Sequence, residues 1–424
     1  MDHQNTVIDQ LEATQHTDHD ARGDAHAHVP PSSVERRGLA LLLAVLGHPR
    51  FQVALWDGTR VPETMPGSVG TVHLHDRATL YGLITQPLMR FGEAYRRGSL
   101  TVDGDLTEII VAINRGLRRS KPVRFKARAM NRLPHARNTR KRARDNIHHH
   151  YDLGNDFYRL WLDQQLVYTC AYFAEADMGL EEAQIAKLDH VSRKLWLRPS
   201  EKVIEAGCGW GALALHMARE YGVSVRAYNI SAEQLGYARK RAKQEGLDGQ
   251  VEFIQGDWRE ISGDCDAFVS VGLLEHVGRD HFRSLGTRIR QVLRDDGRLL
   301  IHSIGRDWAK PMNPWIDRRI FPGANPPTIR QMTDIFEPAD LSILDVENLR
   351  LHYARTLEHW LERFSSNVQP IRGMFDDEFV RIWTLYLAGS IAGFRSGDLQ
   401  LFQVVAAPAG NNDTPWHRGH LYGP

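Results

Sequence analysis

Cysteine is scarce in this sequence, with only Cys170, Cys208 and Cys265 among 424 residues. None of them stands in a CxxC pair, and three scattered thiols cannot build a disulfide framework. A small disulfide-stapled fold is therefore excluded, and we expect a reducing, cytoplasmic setting. The length predicts two domains, and 42% apolar with 25% charged residues is typical of a globular protein that buries a sizeable core.

Long hydrophobic runs are also missing. The longest apolar stretch near the N-terminus, residues 39–46, is far shorter than the roughly 20 residues that cross a bilayer, and it follows no signal-peptide pattern. Any contact with lipid is therefore expected from the side of the membrane. The formal net charge is only +1, so a basic surface must be local and balanced by acidic residues elsewhere.

Acidic residues are absent from one long segment, 115–144, which is rich in arginine and lysine. The segment is interpreted either as a solvated linker or as a surface for anionic lipid headgroups, to which each basic side chain contributes about 1 kcal/mol. Nucleic acid is a third and weaker interpretation, because Phe125 is the only aromatic residue there. We favour the lipid surface and expect no nucleic-acid partner.

Composition and periodicity divide the chain into five predicted segments. These are a disordered tail (1–33), a small α+β domain (34–114), a basic linker (115–145), an α/β domain (146–408) and a C-terminal tail (409–424). His16, His19, His26 and His28 are assigned to a solvated tail rather than to a metal site. Adjacent histidines at 148–150 do not converge on one ion, so we expect no metal there either.

From residue 146 onward, strands alternate with helices, which predicts a mostly parallel sheet with helices on both faces. The predicted strands are 202–206, 223–228, 251–254, 267–271 and 298–302. Helices are predicted at 212–220 and 280–293, and another begins after Ser231, a suitable N-cap. The proline-rich residues 306–340 are predicted to be an irregular insertion over the C-terminal edge of the sheet, where such sheets bind ligands.

Residues 205–211 (EAGCGWG) lie between the first of these strands and the next helix. Glycines at this place let the backbone approach a ligand closely at a helix N-terminus. The spacing also fits a relaxed dinucleotide fingerprint, but the second strand ends at residues 228–230 (YNI) without the carboxylate that binds a ribose hydroxyl. The acidic residue stands at the end of the first strand instead, which argues against a nicotinamide cofactor.

An acidic residue followed by Gly-Cys-Gly-Trp-Gly resembles motif I of class I S-adenosylmethionine (AdoMet) methyltransferases, and residues 256–258 (GDW) resemble their adenine-binding region. Six motifs in order then resemble the cyclopropane-fatty-acyl-phospholipid synthases over about residues 36–405. They are HYDLGNDFY (150–158), YTCAYF (168–173), EAGCGWG (205–211), ISAEQ (230–234), VGLLEHVG (271–278) and LIHSIG (300–305). The resemblance implies a Rossmann-like seven-stranded sheet with a small N-terminal α+β domain that engages lipid.

The resemblance also implies two binding sites within the methyltransferase domain. An AdoMet pocket would be lined by Tyr168, Thr169, Glu205, Gly207, Gly209, Asn229, Ser231, Gln234, Asp257 and Trp258. A bicarbonate ion would be held by Cys170, Glu275, His302, Tyr353 and the backbone of Ile304. Thr169, Glu205 and Asn229 replace the Ser, Asp and Thr that are commoner in the family, and all three keep their hydrogen-bonding capacity.

The chemistry implied by the family explains these residue types. A carbon-carbon double bond is a poor nucleophile and must be held in line with the sulfonium methyl group in a dry pocket. The aromatic faces of Tyr168, Tyr172 and Phe173 are expected to stabilise the cation that forms on the acyl chain. Ring closure then needs a base, and by resemblance bicarbonate is that base, oriented by Glu275 and His302.

We therefore expect an AdoMet-dependent enzyme that forms cyclopropane rings on unsaturated acyl chains of phospholipids, bound peripherally to the inner, anionic face of the membrane. The resemblance also allows a homodimer. Two enzymatic alternatives stay open, namely a methyl or methylene branch on the acyl chain and N-methylation of a small amine. A non-catalytic membrane-surface module is a further alternative, but it predicts broken cofactor motifs, and here they are intact.

Overall fold

A computed structural model of the chain describes residues 29–120 and 153–422. The predicted tail up to His28, most of the basic segment and the histidines at 148–150 lie outside the described residues. The described residues divide into two compact units, one containing residues 29–120 and Asp377–Leu385 and the other containing residues 153–376 and 386–422. Within the described ranges, every helix is too short or too polar to cross a membrane.

The first unit combines helices with a small four-stranded sheet. Its elements are α1 (Ser33–Val45), β1 (Gln52–Ala54), β2 (Arg60–Val61), β3 (Gly70–Leu74), α2 (Arg77–Thr85), α3 (Pro87–Arg97), β4 (Leu100–Gly104) and α4 (Leu106–Arg119). The strand order is β2-β1-β3-β4, with β1 and β3 parallel and the other pairs antiparallel. One apolar core, which includes Leu39, Val72 and Ile109, joins the sheet to the helices.

Helix α4 continues to Arg119, five residues beyond the end predicted for the small domain. Its N-terminus is capped by Asp105, whose carboxylate accepts hydrogen bonds from the Thr107 and Glu108 amides. Arg118 and Arg119 occupy its last turn, where positive charge interacts favourably with the helix dipole. The start of the basic segment is therefore helical.

Helix α1 begins with a capping box. Ser32 Oγ accepts a hydrogen bond from the Glu35 amide, and the Glu35 carboxylate accepts one from the Ser32 amide. Burial of Glu35 opposes its ionisation, but hydrogen bonds from Ser32, Arg77 and Tyr81 outweigh this and lower its pKa from 4.5 to about 2. The stability that this carboxylate contributes is thus complete above pH 4.5 and is lost as the pH falls toward 2.

Ser32→Ala is expected to reduce the local stability of α1 by about 1 kcal/mol, because one N-terminal amide loses its partner. Hydrogen exchange at the α1 amides measures this change. Ser33→Ala is the matched control, since Ser33 lies one residue beyond the cap. Equal exchange in the two variants would contradict the capping role.

The second unit contains a long series of helices and strands. They are α5 (Asn155–Arg159), α6 (Leu180–Lys194), β5 (Lys202–Ala206), α7 (Ala212–Tyr221), β6 (Ser224–Asn229), α8 (Ala232–Gln244), β7 (Val251–Gln255), β8 (Cys265–Val271), α9 (Leu274–Val277), α10 (Phe282–Val292), β9 (Leu293–Gly305), α11 (Pro314–Arg319), α12 (Ile329–Phe336), β10 (Leu341–Asn348), α13 (Arg350–Ser366), α14 (Val368–Met374), α15 (Asp377–Arg395) and β11 (Gln400–Pro408). The first residues of α15, Asp377–Leu385, are grouped with the first unit.

The strands of the second unit form a seven-stranded sheet in the order β10-β11-β9-β8-β5-β6-β7. The strands from β9 to β7 in this order pair in parallel, whereas β11 is antiparallel to both β9 and β10. Helices α6, α7 and α8 pack on one apolar face, and α10 and α12 on the other. This confirms the predicted α/β class with a mostly parallel seven-stranded sheet.

The prediction for residues 306–340 is partly wrong. Two helices form there, α11 and α12, because Asn313 and Thr328 supply N-caps that accept hydrogen bonds from amides of the first turn. Pro314 stands in the first turn of α11, where it displaces no intrahelical hydrogen bond. The proline content therefore led to a prediction of irregular structure where two capped helices form.

Candidate active site

The loop between β5 and α7 is built from three glycines in left-handed conformations. The amides of Gly207 and Cys208 both donate to the Tyr228 carbonyl, at 2.8 and 3.1 Å, which fixes the loop against β6. A Cβ on Gly211 would lie 2.6 Å from the Phe253 ring, so that glycine is required by packing. A Cβ on Gly209 would meet nothing within 4 Å, so Gly209 leaves open space beside the loop.

Glu205 ends β5 directly below this loop and is 2% exposed. Burial raises the pKa of its carboxyl group, although the nearby Lys187 ammonium and a hydrogen bond from the Ala214 amide act in the opposite direction. Its Oε2 atom is buried and has no hydrogen-bond partner. An unpaired buried carboxylate oxygen beside an open glycine loop fits the cationic amino group of AdoMet.

Asn229, Ser231 and Gln234 hold the end of β6 against the same loop. Asn229 Nδ2 donates to Gln234 Oε1 at 2.7 Å and to the Gly209 carbonyl at 3.2 Å. Ser231 caps α8 by accepting from the Gln234 amide, as predicted. The Asn229 side-chain amide therefore fixes the shape of the loop through internal bonds.

Trp258 and Asp257 lie at the start of a 3₁₀ helix after β7. Asp257 forms an ion pair with Arg259 at 2.9 Å, and the Arg259 guanidinium lies 4.7 Å from the centre of the Trp258 ring. Trp258 is 7% exposed. The ends of β5, β6 and β7 thus place Glu205, Asn229, Asp257 and Trp258 at one edge of the sheet.

Tyr168 and Thr169 reach the site from the segment before α6. The Tyr168 and Tyr386 hydroxyls are 2.7 Å apart, and Thr169 Oγ1 accepts a hydrogen bond from Lys187 Nζ at 3.0 Å. Gln184 Nε2 donates to the Thr169 carbonyl at 2.9 Å. Both residues are therefore held by buried polar side chains.

Helix α5, from the predicted motif at 150–158, positions the glycine loop. Asn155 Oδ1 accepts a hydrogen bond from Trp210 Nε1 at 2.7 Å, and the Tyr158 and Trp210 rings meet edge to face at 4.9 Å. The part of the motif before residue 153 lies outside the described residues.

Glu275, at the start of α9, bonds across to the end of β9. The Ile304 amide donates to Glu275 Oε1 at 2.5 Å, while Glu275 Oε2 is buried without a hydrogen-bond partner. Burial raises the pKa of Glu275 from 4.5 to about 7, although hydrogen bonds from the Glu275 and Ile304 amides and from the Ser303 hydroxyl oppose the shift. One carboxylate oxygen is thus fixed and the other remains available to a ligand.

His302 and Cys170 are both fully buried. His302 Nδ1 lies 3.1 Å from Gln403 Nε2, its Nε2 has no hydrogen-bond partner, and burial holds its pKa well below 6.5. The Cys170 thiol donates to the Ala171 carbonyl at 3.1 Å, and burial raises its pKa above the ordinary value of 9. The site therefore offers a neutral imidazole and a protonated thiol.

A chain of contacts brings the predicted bicarbonate ligands to the end of β9. Cys170 Sγ lies 4.0 Å from the Leu349 carbonyl, which also accepts the Tyr353 amide at 3.2 Å. The Leu349 amide donates to Leu401, and Leu401 is paired with Ile304. The unpaired buried atoms of Glu275 and His302 fit a polar ligand that both accepts and donates hydrogen bonds, as bicarbonate does.

The expectation for Tyr172 and Phe173 is wrong. The Tyr172 ring is stacked on both His190 and His352, with centroids 4.1 and 5.0 Å away. The Phe173 ring stacks on His359 and already carries the Arg355 guanidinium at 4.5 Å. Since their faces are covered, neither ring is available to a cation on an acyl chain.

Sequence reasoning missed two buried polar residues, Lys187 and Gln403. Lys187 is 2% exposed on the inner face of α6, and burial lowers its pKa to about 8, while Asp163 and Cys170 act in the opposite direction. Gln403 is 0% exposed on β11. The sequence held a signal in both cases. Each polar side chain stands at a position where the hydrophobic pattern of its helix or strand predicts an apolar residue.

The family model described as mycolic acid cyclopropane synthetase matches residues 138–404, and one described as a domain of unknown function matches residues 41–119. A probable fatty acid methyltransferase of Pseudomonas putida is 35% identical over 88% of this chain and 97% of its own length. The cyclopropane-fatty-acyl-phospholipid synthase of Escherichia coli K12 is 40% identical over 60% of this chain and 66% of its own length. The solved structure of mycolic acid cyclopropane synthase CmaA1 with SAH and CTAB matches with a TM-score of 0.59 and 29% identity, covering 62% of this chain and 97% of that one.

Proposed function

Because the chain belongs to the mycolic acid cyclopropane synthetase family, we propose that it transfers a methylene unit from AdoMet to the double bond of an unsaturated acyl chain of a membrane phospholipid and closes a cyclopropane ring. The observation that carries the proposal is the pair of buried atoms without a hydrogen-bond partner, Glu275 Oε2 and His302 Nε2, on residues that the family resemblance assigns, together with Cys170, to one site. Buried polar atoms without partners are costly, so they indicate a polar ligand.

When bound, AdoMet supplies the methyl carbon and bicarbonate supplies the base for the proton that must leave. Glu275 would hold the base in place, since one carboxylate oxygen is fixed by the Ile304 amide and the other can accept a hydrogen bond. His302 would donate through Nε2, and the Cys170 thiol would become a second donor by exchanging its bond to the Ala171 carbonyl for one to the anion. These residues orient one proton acceptor toward the delivered carbon.

Aromatic side chains beside Tyr168 keep water out of the reacting centre. The Tyr168 ring lies 5.2 Å from Trp161, 5.3 Å from Trp360 and 5.6 Å from Tyr158, and these three neighbours are fully buried. A dry aromatic wall favours an apolar substrate chain and stabilises positive charge on it. An acyl chain suits this environment better than a free amine does.

Contact with phospholipid is supported by an apolar surface on the first unit. Large apolar side chains are 38 to 77% exposed on α1, α2 and α3, namely Val34, Leu41, Val45, Tyr81, Ile84 and Leu88. A cluster of exposed apolar side chains is typical of a membrane or protein contact. Together with the basic segment at 115–145, this apolar surface supports peripheral binding to an anionic membrane. The domain boundaries given in the sequence analysis also remain a proposal.

Lipid profiling of cells that express the chain tests the proposal. We expect unsaturated phospholipid acyl chains to gain the mass of one methylene, and chromatography against cyclopropane and branched standards to identify a ring. Cells that express Glu275→Gln are the control. A branched product would favour the alternative that the P. putida relative suggests by its name, and an unchanged profile would favour N-methylation of an amine.

Binding to anionic vesicles is expected to weaken when Arg140 and Lys141 are both changed to Gln. Each basic side chain near such a surface contributes about 1 kcal/mol, and salt screens the attraction. Co-sedimentation with vesicles over a salt series measures both effects. Lys240→Gln with Lys243→Gln removes equal charge from the exposed face of α8 and is the matched control. Vesicle binding that does not depend on salt would indicate that the basic segment is only a linker.

A further inference from the structure

A rung of polar side chains crosses three strands beside the candidate site. His302 on β9 is directly opposite Gln403 on β11, and Gln403 is directly opposite Glu347 on β10. Directly opposite residues share one face of a sheet. Gln403 is fully buried in a strand whose nearest neighbours, Phe402 and Val404, are apolar. An amide at this position therefore needs a specific reason.

The Gln403 side-chain amide contacts one ring nitrogen of His302. Gln403 Nε2 lies 3.1 Å from His302 Nδ1, and Gln403 Oε1 is buried without a hydrogen-bond partner. Because an amide nitrogen can only donate, this contact is a hydrogen bond from Gln403 Nε2 to His302 Nδ1. Nδ1 then carries the lone pair, and a neutral ring must hold its proton on Nε2. His302 Nε2 is buried without a hydrogen-bond partner, so its proton is free to be donated to a ligand.

The surroundings of His302 keep the ring neutral. Burial opposes protonation, and so do Lys187, Lys194 and His190 of α6, while Glu347 of β10 acts in the opposite direction. Glu347 is already engaged by His190 Nε2 at 2.8 Å and by Lys194 Nζ at 2.7 Å. A neutral ring with a single tautomer is the result.

We propose that Gln403 is a positioning residue that fixes His302 as the Nε2–H tautomer, so that the ring presents a hydrogen-bond donor to an anion at the Cys170–Glu275 site. The opposite tautomer would turn a lone pair toward the anion and repel it. The inference rests on the proposed function only in naming bicarbonate as the anion. The tautomer itself is a property of the protein without ligand.

Nitrogen NMR of the protein labelled with ¹⁵N-histidine tests the tautomer directly, with the His302 ring correlated through its bonds to its own backbone amide. In the ligand-free wild type we expect Nε2 to be protonated and Nδ1 not, from pH 6 to 8. Gln403→Glu should move the proton to Nδ1, because a carboxylate can only accept. Gln403→Met should give a mixture of both tautomers. Gln400→Glu, on the same strand but bonded to Asn348 and Gly397, is the matched control and should leave the His302 signals unchanged.

Turnover gives the second measurement. The apparent affinity for bicarbonate should fall by about 10- to 100-fold in Gln403→Met, which is the usual cost of losing a residue that orients a ligating histidine. AdoMet affinity should stay unchanged. A wild-type ring protonated on Nδ1, or a tautomer that does not respond to either Gln403 variant, overturns the inference. If the tautomer responds as expected and bicarbonate has no effect on turnover, the positioning role stands and the proposed base fails.

Discussion

Glu275→Gln is expected to reduce turnover by about 100- to 1000-fold while AdoMet affinity changes less than twofold. Loss of a group that works in proton transfer costs about this much. The amide that replaces the carboxylate still accepts from the Ile304 backbone, so the fold around β9 is kept. The second amide atom is a donor, however, and it can no longer accept a hydrogen bond from a base. Single-turnover assays together with calorimetric AdoMet titration separate the two effects.

The pH profile gives an independent readout of the same residue. Burial raises the pKa of Glu275 to about 7, and the bond from Ile304 favours the ionised form. At a fixed bicarbonate concentration, activity should therefore rise as the pH increases through about 7. In Glu275→Gln this step should disappear from the residual activity.

Glu252→Gln is the matched control for Glu275→Gln. Glu252 lies on β7, its side chain is 67% exposed, and its carboxylate forms an ion pair with Arg226 at 3.4 Å. Its substitution should leave both turnover and the pH step in place. Full activity in Glu275→Gln, or an unchanged pH step in that variant, would contradict a role for Glu275 in proton transfer.

Glu205→Gln is expected to weaken AdoMet binding by about 30-fold or more. A buried charge pair that loses one member costs about 2 kcal/mol or more, and the unpartnered Oε2 is the atom that would meet the cationic amino group of AdoMet. The bond from the Ala214 amide can be kept by the glutamine carbonyl. Calorimetry on the folded variant measures the loss.

Proton release on AdoMet binding follows from the same carboxyl group. Burial raises the pKa of Glu205, so the ligand-free carboxyl group is protonated more readily than usual, and a cationic partner favours its ionised form. Affinity should therefore rise with pH between 6 and 8, and the binding enthalpy should depend on the buffer. Glu252→Gln, a largely exposed residue of β7, is the control. Equal AdoMet affinities for Glu205→Gln and the wild type would show that the amino group of AdoMet does not bind to Glu205.

Much of the fold could be predicted from local sequence signals. The strand at 202–206, the helix that follows it and the Ser231 cap depend on residues within one or two turns of each other, and the structure confirms all three. The family resemblance is also confirmed. The helices at 314–319 and 329–336 were not predicted, because their caps lie among prolines that suggested an irregular loop. Stacking of histidines on Tyr172 could not be foreseen, since His352 lies far along the chain.

The sequence by itself determined the class of the sheet, the glycine loop and the set of residue types that the chemistry needs, because each is encoded by periodicity or by a contiguous motif. Only the tertiary structure decided which of their atoms remain free for a ligand. Glu275 meets Ile304 across 29 residues, His302 meets Gln403 across 101, and Cys170 meets Leu349 across 179. Protonation states and unpaired donors depend on such long-range neighbours and on burial. A local sequence pattern predicts neither the neighbours nor the burial.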